Sequence, residues 1–270
     1  MGEPAETDVV AFNAFQTVDP WRELKAYTDA RIALGRAGPA MPTREVLEFS
    51  LAHARARDAV HARFDAKALC DGLTALGIPV AEARSRAGSR DEYLRRPDLG
   101  RTLHPGSREA LAGGFRLPVD IVLVICDGLS AKAVHENALP LVTELRPLLN
   151  GRGLNVTGVV VNQGRVAVGD EIGELAKARI AAVLIGERPG LSAADSLGVY
   201  LTYAPRPGCS DAQRNCISNI RAAGMPAAVA ARKMMRLMEQ ALELKLTGVG
   251  LKDDDETAPL LRAAEPETNT

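Results

Sequence analysis

The chain has few aromatic residues, few cysteines and no long apolar run. Phe, Trp and Tyr make up 4% of its 270 residues, so Ala, Leu and Val must fill most of the core. No apolar stretch approaches the ~20 residues that a membrane-spanning helix needs. The start, "MGEPAETDVV", is acidic and lacks the basic segment and apolar run of a signal peptide. We therefore expect a protein of the cytoplasm.

Metal-binding and disulfide patterns are also missing. The four cysteines, Cys70, Cys126, Cys209 and Cys216, are far apart and form no CxxC pair, which predicts free thiols. The four histidines fall in no HExxH motif. His53 and His61 are eight residues apart and could share a helix face, but solvated histidines fit that spacing better than metal ligands.

Net charge is -1, which disfavours a nucleic-acid-binding protein. The charge is unevenly distributed, however. Residues 1–20 carry four acids and no base, residues 251–270 carry six acids and two bases, and the body between them carries a net +7. This basic body is either ordinary surface or a docking face for an acidic partner or ligand, and both interpretations stay open.

The common nucleotide-binding and nucleophile motifs are absent. The turn "CDGLSAKAV" (126–134) has one glycine instead of the three of a dinucleotide-binding loop, and the chain has neither a P-loop nor a G-x-S-x-G elbow. Ser130, which follows a predicted strand and Asp127, leaves a small hydrolase as one alternative. A serine at the start of a helix is more commonly an N-cap.

After Pro118 the pattern predicts alternating strands and helices. Strands are predicted at 119–126, 154–162, 180–186 and 198–204, and helices at 131–149, 171–179 and 226–246. We therefore predict an α/β fold with a Rossmann-like parallel sheet flanked by helices. Residues 210–221 are predicted as a turn and a short helix.

The N-terminal part is predicted to be mainly helical. One long helix begins after an N-cap at Thr43 and reaches towards Leu76 with a break near Asp71, and a short helix covers Ser89–Arg96. Residues 97–118 are predicted as an irregular connection. The predicted organisation is a flexible tail at 1–20, a helical extension at 21–118, the sheet domain at 119–250 and an acidic tail at 251–270.

Three predicted turns follow the carboxyl ends of strands, where sheets of this type bind ligands. They are Asp127-Gly128, Gln163–Asp170 and Gly186–Gly190. Asp127 and Arg188 are candidate ligand-binding residues by position alone. Because no self-contained catalytic constellation is present, these turns favour a cofactor-binding module or a subunit that lends one wall to a shared active site.

Several segments resemble the light chain of ethanolamine ammonia-lyase. They are "GERPGLSAADSLGVYLTY" (186–203) with "RNCISNIR" (214–221), "NQGRVAVGDEIGE" (162–174), "DGLSAKAV" (127–134), "YLRRPDLGRTL" (93–103) and the stretch from 30 to 65. The resemblance covers about residues 20–250 in order, and the two tails lie outside it.

The resemblance implies an adenosylcobalamin enzyme that converts ethanolamine into acetaldehyde and ammonia by a radical mechanism. A TIM-barrel heavy chain would hold the substrate and most catalytic groups, and the corrin would lie between the two chains. Three positions of this chain match corrin-binding positions of the family, namely Val166, Glu187 and Cys216. The extension at 21–118 would dock on the heavy chain, and this chain would supply no catalytic residue.

Two further expectations depend on the resemblance. No histidine lies in the D-x-H-x-x-G motif by which some cobalamin proteins replace the cofactor's own base, so we expect no cobalt ligand from this chain. The family is associated with bacterial microcompartments, for which "VVAFNAF" (9–15) is a targeting candidate. The alternative to a lyase subunit is a free-standing cobalamin-binding or carrier module, which the large, sheet-poor N-terminal part disfavours.

Overall fold

The computed structural model describes residues 16–17, 19–116 and 118–252. Its strands are β1 (Gln16–Thr17), β2 (Arg36–Ala37), β3 (Val80–Arg84), β4 (Ile121–Cys126), β5 (Val156–Asn162), β6 (Ile180–Gly186), β7 (Leu197–Tyr203) and β8 (Asn215–Ile220). Its α-helices are α1 (Thr43–His61), α2 (Ala66–Ala75), α3 (Arg90–Arg95), α4 (Pro105–Ala112), α5 (Ala131–Gly151), α6 (Val168–Leu175) and α7 (Ala227–Leu244).

Six of the strands form one sheet in the order β3-β5-β4-β6-β7-β8. The first four are mutually parallel, whereas β7 is antiparallel to β6 and β8 is antiparallel to β7. Every residue of β4 and β6 is buried, as the near-continuous apolar runs of these strands predict. The predicted α/β class is confirmed, with a mostly parallel sheet.

Helices cover the sheet on both faces. The larger core packs α2, α5 and α7 against one face through Leu73, Leu141 and Met234. The smaller core packs α4 and α6 against the other face through Leu111 and Ile172. Since α6 follows β5 directly, the turn between them lies at the carboxyl ends of the parallel strands.

The prediction of a short helix within 210–221 is wrong. A 3-10 turn at Asp211–Gln213 leads into strand β8, which pairs with β7. In β8 the two apolar residues Ile217 and Ile220 are buried in the larger core, while polar residues fill most other positions. Residues 215–220 form a strand because they pair with β7, and the local composition does not reveal this pairing.

The N-terminal part differs from the prediction in three places. The long helix is two helices separated at 62–65, where Asp65 caps α2 by accepting a hydrogen bond from Ala68 N at 3.0 Å. Thr43 begins α1 but makes no cap, since the N-cap is Pro42 without a side-chain bond. The predicted irregular stretch at 97–118 contains α4, whose Pro105 occupies the first turn.

The sheet also reaches into the N-terminal part, because edge strand β3 pairs with β5. The boundaries proposed for the four regions stay predictions, and the acidic stretches before residue 16 and after residue 252 lie outside the described residues. All four cysteines are free thiols, as predicted. Within the described part of the chain, none of the helices is sufficiently long and apolar to cross a membrane.

Candidate functional site at the sheet edge

A cavity of about 420 Å³ opens at the carboxyl ends of β4 and β6. Four segments meet there: the turn after β4, the turn between β5 and α6, the end of β6, and the middle of β7. The lining residues are Gly128, Leu129, Arg165, Val166, Ile185, Gly186, Glu187, Arg188 and Tyr200. Parts of all three predicted turns therefore come together at one edge of the sheet.

Two glycines allow the turn after β4 to lie directly against the end of β6. Gly128 has a φ of +55°, and a Cβ at this position would run into the backbone of Gly186. Leu129 N donates to Gly186 O at 2.9 Å across this contact. The close approach of two backbones fixes the floor of the cavity, and a side chain at either glycine would push the two segments apart.

Val166 lies on the turn between β5 and α6 and is half-buried in the cavity wall. The turn is tightly hydrogen-bonded, because Val168 N donates to Arg165 O at 2.9 Å and Gly169 N donates to Val166 O at 3.1 Å. These bonds occupy backbone donors at the start of α6. The turn therefore presents an apolar side chain to the cavity.

Glu187 is half-buried at the end of β6, and its carboxylate is held by the protein. Oε2 accepts hydrogen bonds from Ser196 Oγ and from Asn219 N, the latter at 3.3 Å. Oε1 lies over Gly198, where a Cβ would come within 3.0 Å of it. Ser196 and Asn219 are thus the hydrogen-bond partners of the Glu187 carboxylate. Arg188 itself is exposed on the cavity rim.

Cys216 lies directly across the β7–β8 pair from Tyr200. It is exposed and stands beside the cavity, while Tyr200 forms part of the cavity wall. Although the residue is exposed, the surrounding protein partly desolvates the thiol, which raises the pKa of Cys216 and keeps the thiol neutral. Burial, helped by Cys216 and Glu187, also raises the pKa of Tyr200, so its hydroxyl keeps its proton. Sequence reasoning did not single out Tyr200, although it lies in the strand that follows the predicted ligand turn.

Comparison with known proteins identifies the family of the chain. Residues 18–252 match the ethanolamine ammonia-lyase light chain family. The chain belongs to this family. It is 55% identical over 237 residues to the ethanolamine ammonia-lyase small subunit of Bradyrhizobium diazoefficiens, a match that covers 87% of this chain and 91% of that one.

Two further small subunits of the family are similar over comparable lengths. The one from Azotobacter vinelandii is 51% identical over 251 residues, which covers 90% of this chain and 92% of the relative. The one from Pseudomonas aeruginosa is 49% identical over 246 residues and covers 90% of each chain. The resemblance read from the sequence is thereby confirmed at the level of the family.

In this light-chain family member, Asp127 does not line the cavity. It is buried beneath the turn between β5 and α6, where its Oδ1 accepts from Gly164 N at 3.1 Å and its Oδ2 accepts from Arg90 Nη1 at 3.2 Å. Burial outweighs the attraction of Arg90 and raises the pKa of Asp127 to about 6. Asp127 therefore supports the turn that carries Val166 from behind.

Tyr93 of α3 supports the same turn. Its buried hydroxyl donates to Gly164 O at 3.0 Å. Two guanidinium groups lie over its ring, with the Cζ atoms of Arg90 and Arg165 at 4.9 Å and 4.3 Å from the ring centroid. Sequence reasoning missed Arg90, Tyr93 and Arg165, because their roles depend on α3 packing against a turn some 70 residues later in the chain.

The hydrolase alternative finds no support in the geometry. Ser130 Oγ accepts from Ala133 N at 3.1 Å as the N-cap of α5 and donates to Ala194 O at 2.8 Å. The side chain is buried, and the Asp127 carboxylate is bound by Arg90. Ser130 is thus a helix cap that also fixes the loop after β6.

Proposed function

We propose that the chain is the light subunit of an ethanolamine ammonia-lyase, which binds adenosylcobalamin together with a heavy chain and converts ethanolamine into acetaldehyde and ammonia. The observation that carries the proposal is the arrangement at the sheet edge. Val166, Glu187 and Cys216 come from three separate segments, and they gather in and beside one cavity in a chain of this family.

The residues at this edge fit a corrin in chemistry. A corrin has apolar faces and a fringe of amides, so it needs an apolar wall with hydrogen-bonding groups at its rim. Leu129, Val166, Ile185 and Tyr200 supply the wall. The Glu187 carboxylate can accept from amide NH2 groups, and its fixed position means that little side-chain entropy is lost on binding.

The size of the cavity supports a shared site. A volume of about 420 Å³ is in the range that holds a drug-sized ligand, and cobalamin is much larger than that. One wall of the corrin site would come from this chain and the other from the heavy chain, which we propose to be a TIM barrel that binds ethanolamine. This division explains why the cavity lacks a catalytic constellation of its own.

The roles of this chain follow from that geometry. When bound, adenosylcobalamin supplies the radical chemistry. Val166 and Tyr200 would cover one part of the corrin and exclude water, Glu187 and Arg188 would orient its fringe, and Cys216 would close the side of the site as a neutral thiol. We assign no catalytic residue and no cobalt ligand to this chain.

The surface of the N-terminal part supports docking on a larger chain. Helix α1 has 19 residues, of which only Ala59 is buried. Several large apolar side chains are exposed on and before it, among them Trp21 at 67%, Tyr27 at 79% and Leu47 at 63%. Exposed apolar residues in such number mark an interaction surface, so we propose that the extension at 21–118 docks on the heavy chain through this region.

Location in the cytoplasm or in a bacterial microcompartment stays a prediction. The targeting candidate at 9–15 lies outside the described residues. The alternative of a free-standing cobalamin carrier does not account for the exposed apolar surface of α1, which a subunit would cover.

Co-expression tests the proposal. The chain should copurify with a heavy chain of the same family, and only the complex should release ammonia from ethanolamine in the presence of adenosylcobalamin. The chain alone should be inactive under the same conditions. Activity of the isolated chain, or failure of the two chains to copurify, would contradict the proposed role.

A further inference from the structure

A second cavity, of about 410 Å³, borders the first and shares Arg165 and Val166 with it. Its other lining residues are Pro97 and residues from the 3-10 turn at Leu99–Arg101, from the start of α6 and from the loop that leads into β8. Neither the sequence motifs nor the proposed corrin contacts account for this cavity.

Three arginines line the second cavity, namely Arg101, Arg165 and Arg214. Arg214 is paired with Asp170 through two hydrogen bonds, of 2.6 Å and 2.7 Å, so these two charges compensate each other. Among the described residues, neither Arg101 nor Arg165 has a salt-bridge partner. The remaining acid on the wall, Asp211, has a side chain that is 99% exposed. The cavity therefore carries a net positive charge.

Two of these arginines have donors that the protein does not satisfy. The Nε atoms of Arg165 and Arg214 are buried and have no hydrogen-bond partner among the described residues. Arg214 is almost fully buried, and the 3.5 Å contact of its Nε with Asp211 is an ion pair without hydrogen-bond geometry. A buried donor without an acceptor is unfavourable, so an acceptor-rich ligand at this place would relieve that penalty.

The geometry narrows the ligand to an anion bound by side chains. The first N–H groups of α6 already donate within their own turn, from Val168 to Arg165 O and from Asp170 to Ala167 O. The helix N-terminus therefore offers few free donors, and the guanidinium groups must provide the binding. Planar guanidinium groups match the oxygen spacing of carboxylate and phosphate groups, and the cofactor proposed above carries a phosphodiester but no carboxylate.

We propose that Arg101, Arg165 and Arg214 form a phosphate-binding site beside the corrin cavity, which receives the phosphodiester of the cofactor's nucleotide arm. Arg165 and Val166 join the two cavities, so one ligand with a corrin ring and a phosphodiester can occupy both. The assignment to the nucleotide arm rests on the proposed function, whereas free inorganic phosphate offers the same chemistry from another source.

Corrinoid binding by the assembled complex tests the site. Equilibrium dialysis measures the affinity for cyanocobalamin and for dicyanocobinamide, which lacks the phosphodiester and nucleotide. Arg101→Gln should weaken cyanocobalamin binding about tenfold, the effect of one charged hydrogen bond, and leave cobinamide binding unchanged. Arg165→Gln should weaken cyanocobalamin binding more than cobinamide binding, because Arg165 also lines the corrin cavity. Arg95→Gln, at an exposed position outside the cavity, is the matched control.

Thermal unfolding in inorganic phosphate is the second experiment. The cofactor-free complex is unfolded thermally in phosphate and in chloride at equal ionic strength. Phosphate should raise the Tm of the wild type and of Arg95→Gln but not that of the two cavity variants. Since Arg101 is exposed, its replacement should leave the fold intact even if Arg165→Gln disturbs the stacking on Tyr93.

The outcomes separate the possibilities. Selective loss of cyanocobalamin affinity supports the nucleotide arm as the occupant, and loss of the phosphate effect alone supports a site for free phosphate. Equal weakening of the binding of both corrinoids would overturn the proposed site. So would the absence of any change in both the corrinoid experiment and the phosphate experiment. If the wild-type complex binds neither corrinoid, the proposed function fails. Thermal unfolding in phosphate then still shows whether the arginines bind phosphate.

Discussion

Among single side chains, replacement of Glu187 tests corrin contact most directly, because Ser196 and Asn219 already hold its carboxylate in place. Glu187→Ala should raise the apparent KM for adenosylcobalamin about tenfold, as expected for a lost charged hydrogen bond. The KM for ethanolamine should change much less.

Steady-state kinetics of the assembled complex gives both values for Glu187→Ala. Glu109→Ala, an exposed change on α4, serves as the control. If the variant leaves the coenzyme KM unchanged, or raises both constants equally, Glu187 does not bind the corrin.

Asp127 should make the stability of the chain depend on pH. Its pKa is raised from 3.8 to about 6, so its contribution is fully present below pH 4 and is lost as the pH rises through 6. The shift corresponds to at most about 3 kcal/mol. In Asp127→Asn this loss should vanish, and the variant should gain stability relative to the wild type between pH 4 and pH 7.

Urea unfolding across this pH range measures the difference between wild type and Asp127→Asn. Asp91→Asn, an exposed change on α3, controls for the altered net charge. A difference that stays constant with pH would show that Asp127 titrates as an ordinary carboxyl.

The contact between the turn after β4 and the end of β6 should be especially sensitive to an added side chain. Gly128→Ala combines a positive φ with a collision against the Gly186 backbone, so it should cost about 2 kcal/mol or more. Gly113→Ala is a matched change, because Gly113 has a φ of -109° and no atom within 4 Å of the added Cβ. Chemical unfolding compares the two, and equal stability would contradict the proposed packing.

The elements differ in how far the sequence reveals them. Strands β4 and β6 were predictable because their apolar runs are buried on both faces. Strand β8 was not, because only Ile217 and Ile220 of its residues are buried and pairing with β7 forms it. Strand β3 was missed for a similar reason, since its burial is irregular and its partner β5 lies more than 70 residues away.

The sequence also predicted some residues of the candidate site and missed others. Carboxyl-edge logic located the turns that carry Val166, Glu187 and Arg188, and family resemblance added Cys216. Position at a strand end also suggested Asp127, which is buried behind the turn and does not line the cavity. The supporting contacts of Arg90 and Tyr93 could not be predicted, because they depend on how α3 packs.

In the assembled enzyme, the exposed face of α1 should be covered by the heavy chain. Leu47→Asp should greatly reduce copurification, because a buried charge without a partner opposes association, while far-UV circular dichroism should stay unchanged. Leu244→Asp changes an exposed leucine at the end of α7 and should copurify normally. Full copurification of Leu47→Asp would remove α1 from the interface.

The central claim is that the edge formed by β4, β6 and β7 is one wall of the corrin site. A cryo-electron microscopy structure of the complex with bound cobalamin tests it most directly. The corrin fringe should lie within hydrogen-bonding distance of Glu187, and the ring should lie against Val166 and Cys216. A corrin bound away from these three residues, or held by the heavy chain alone, would contradict it.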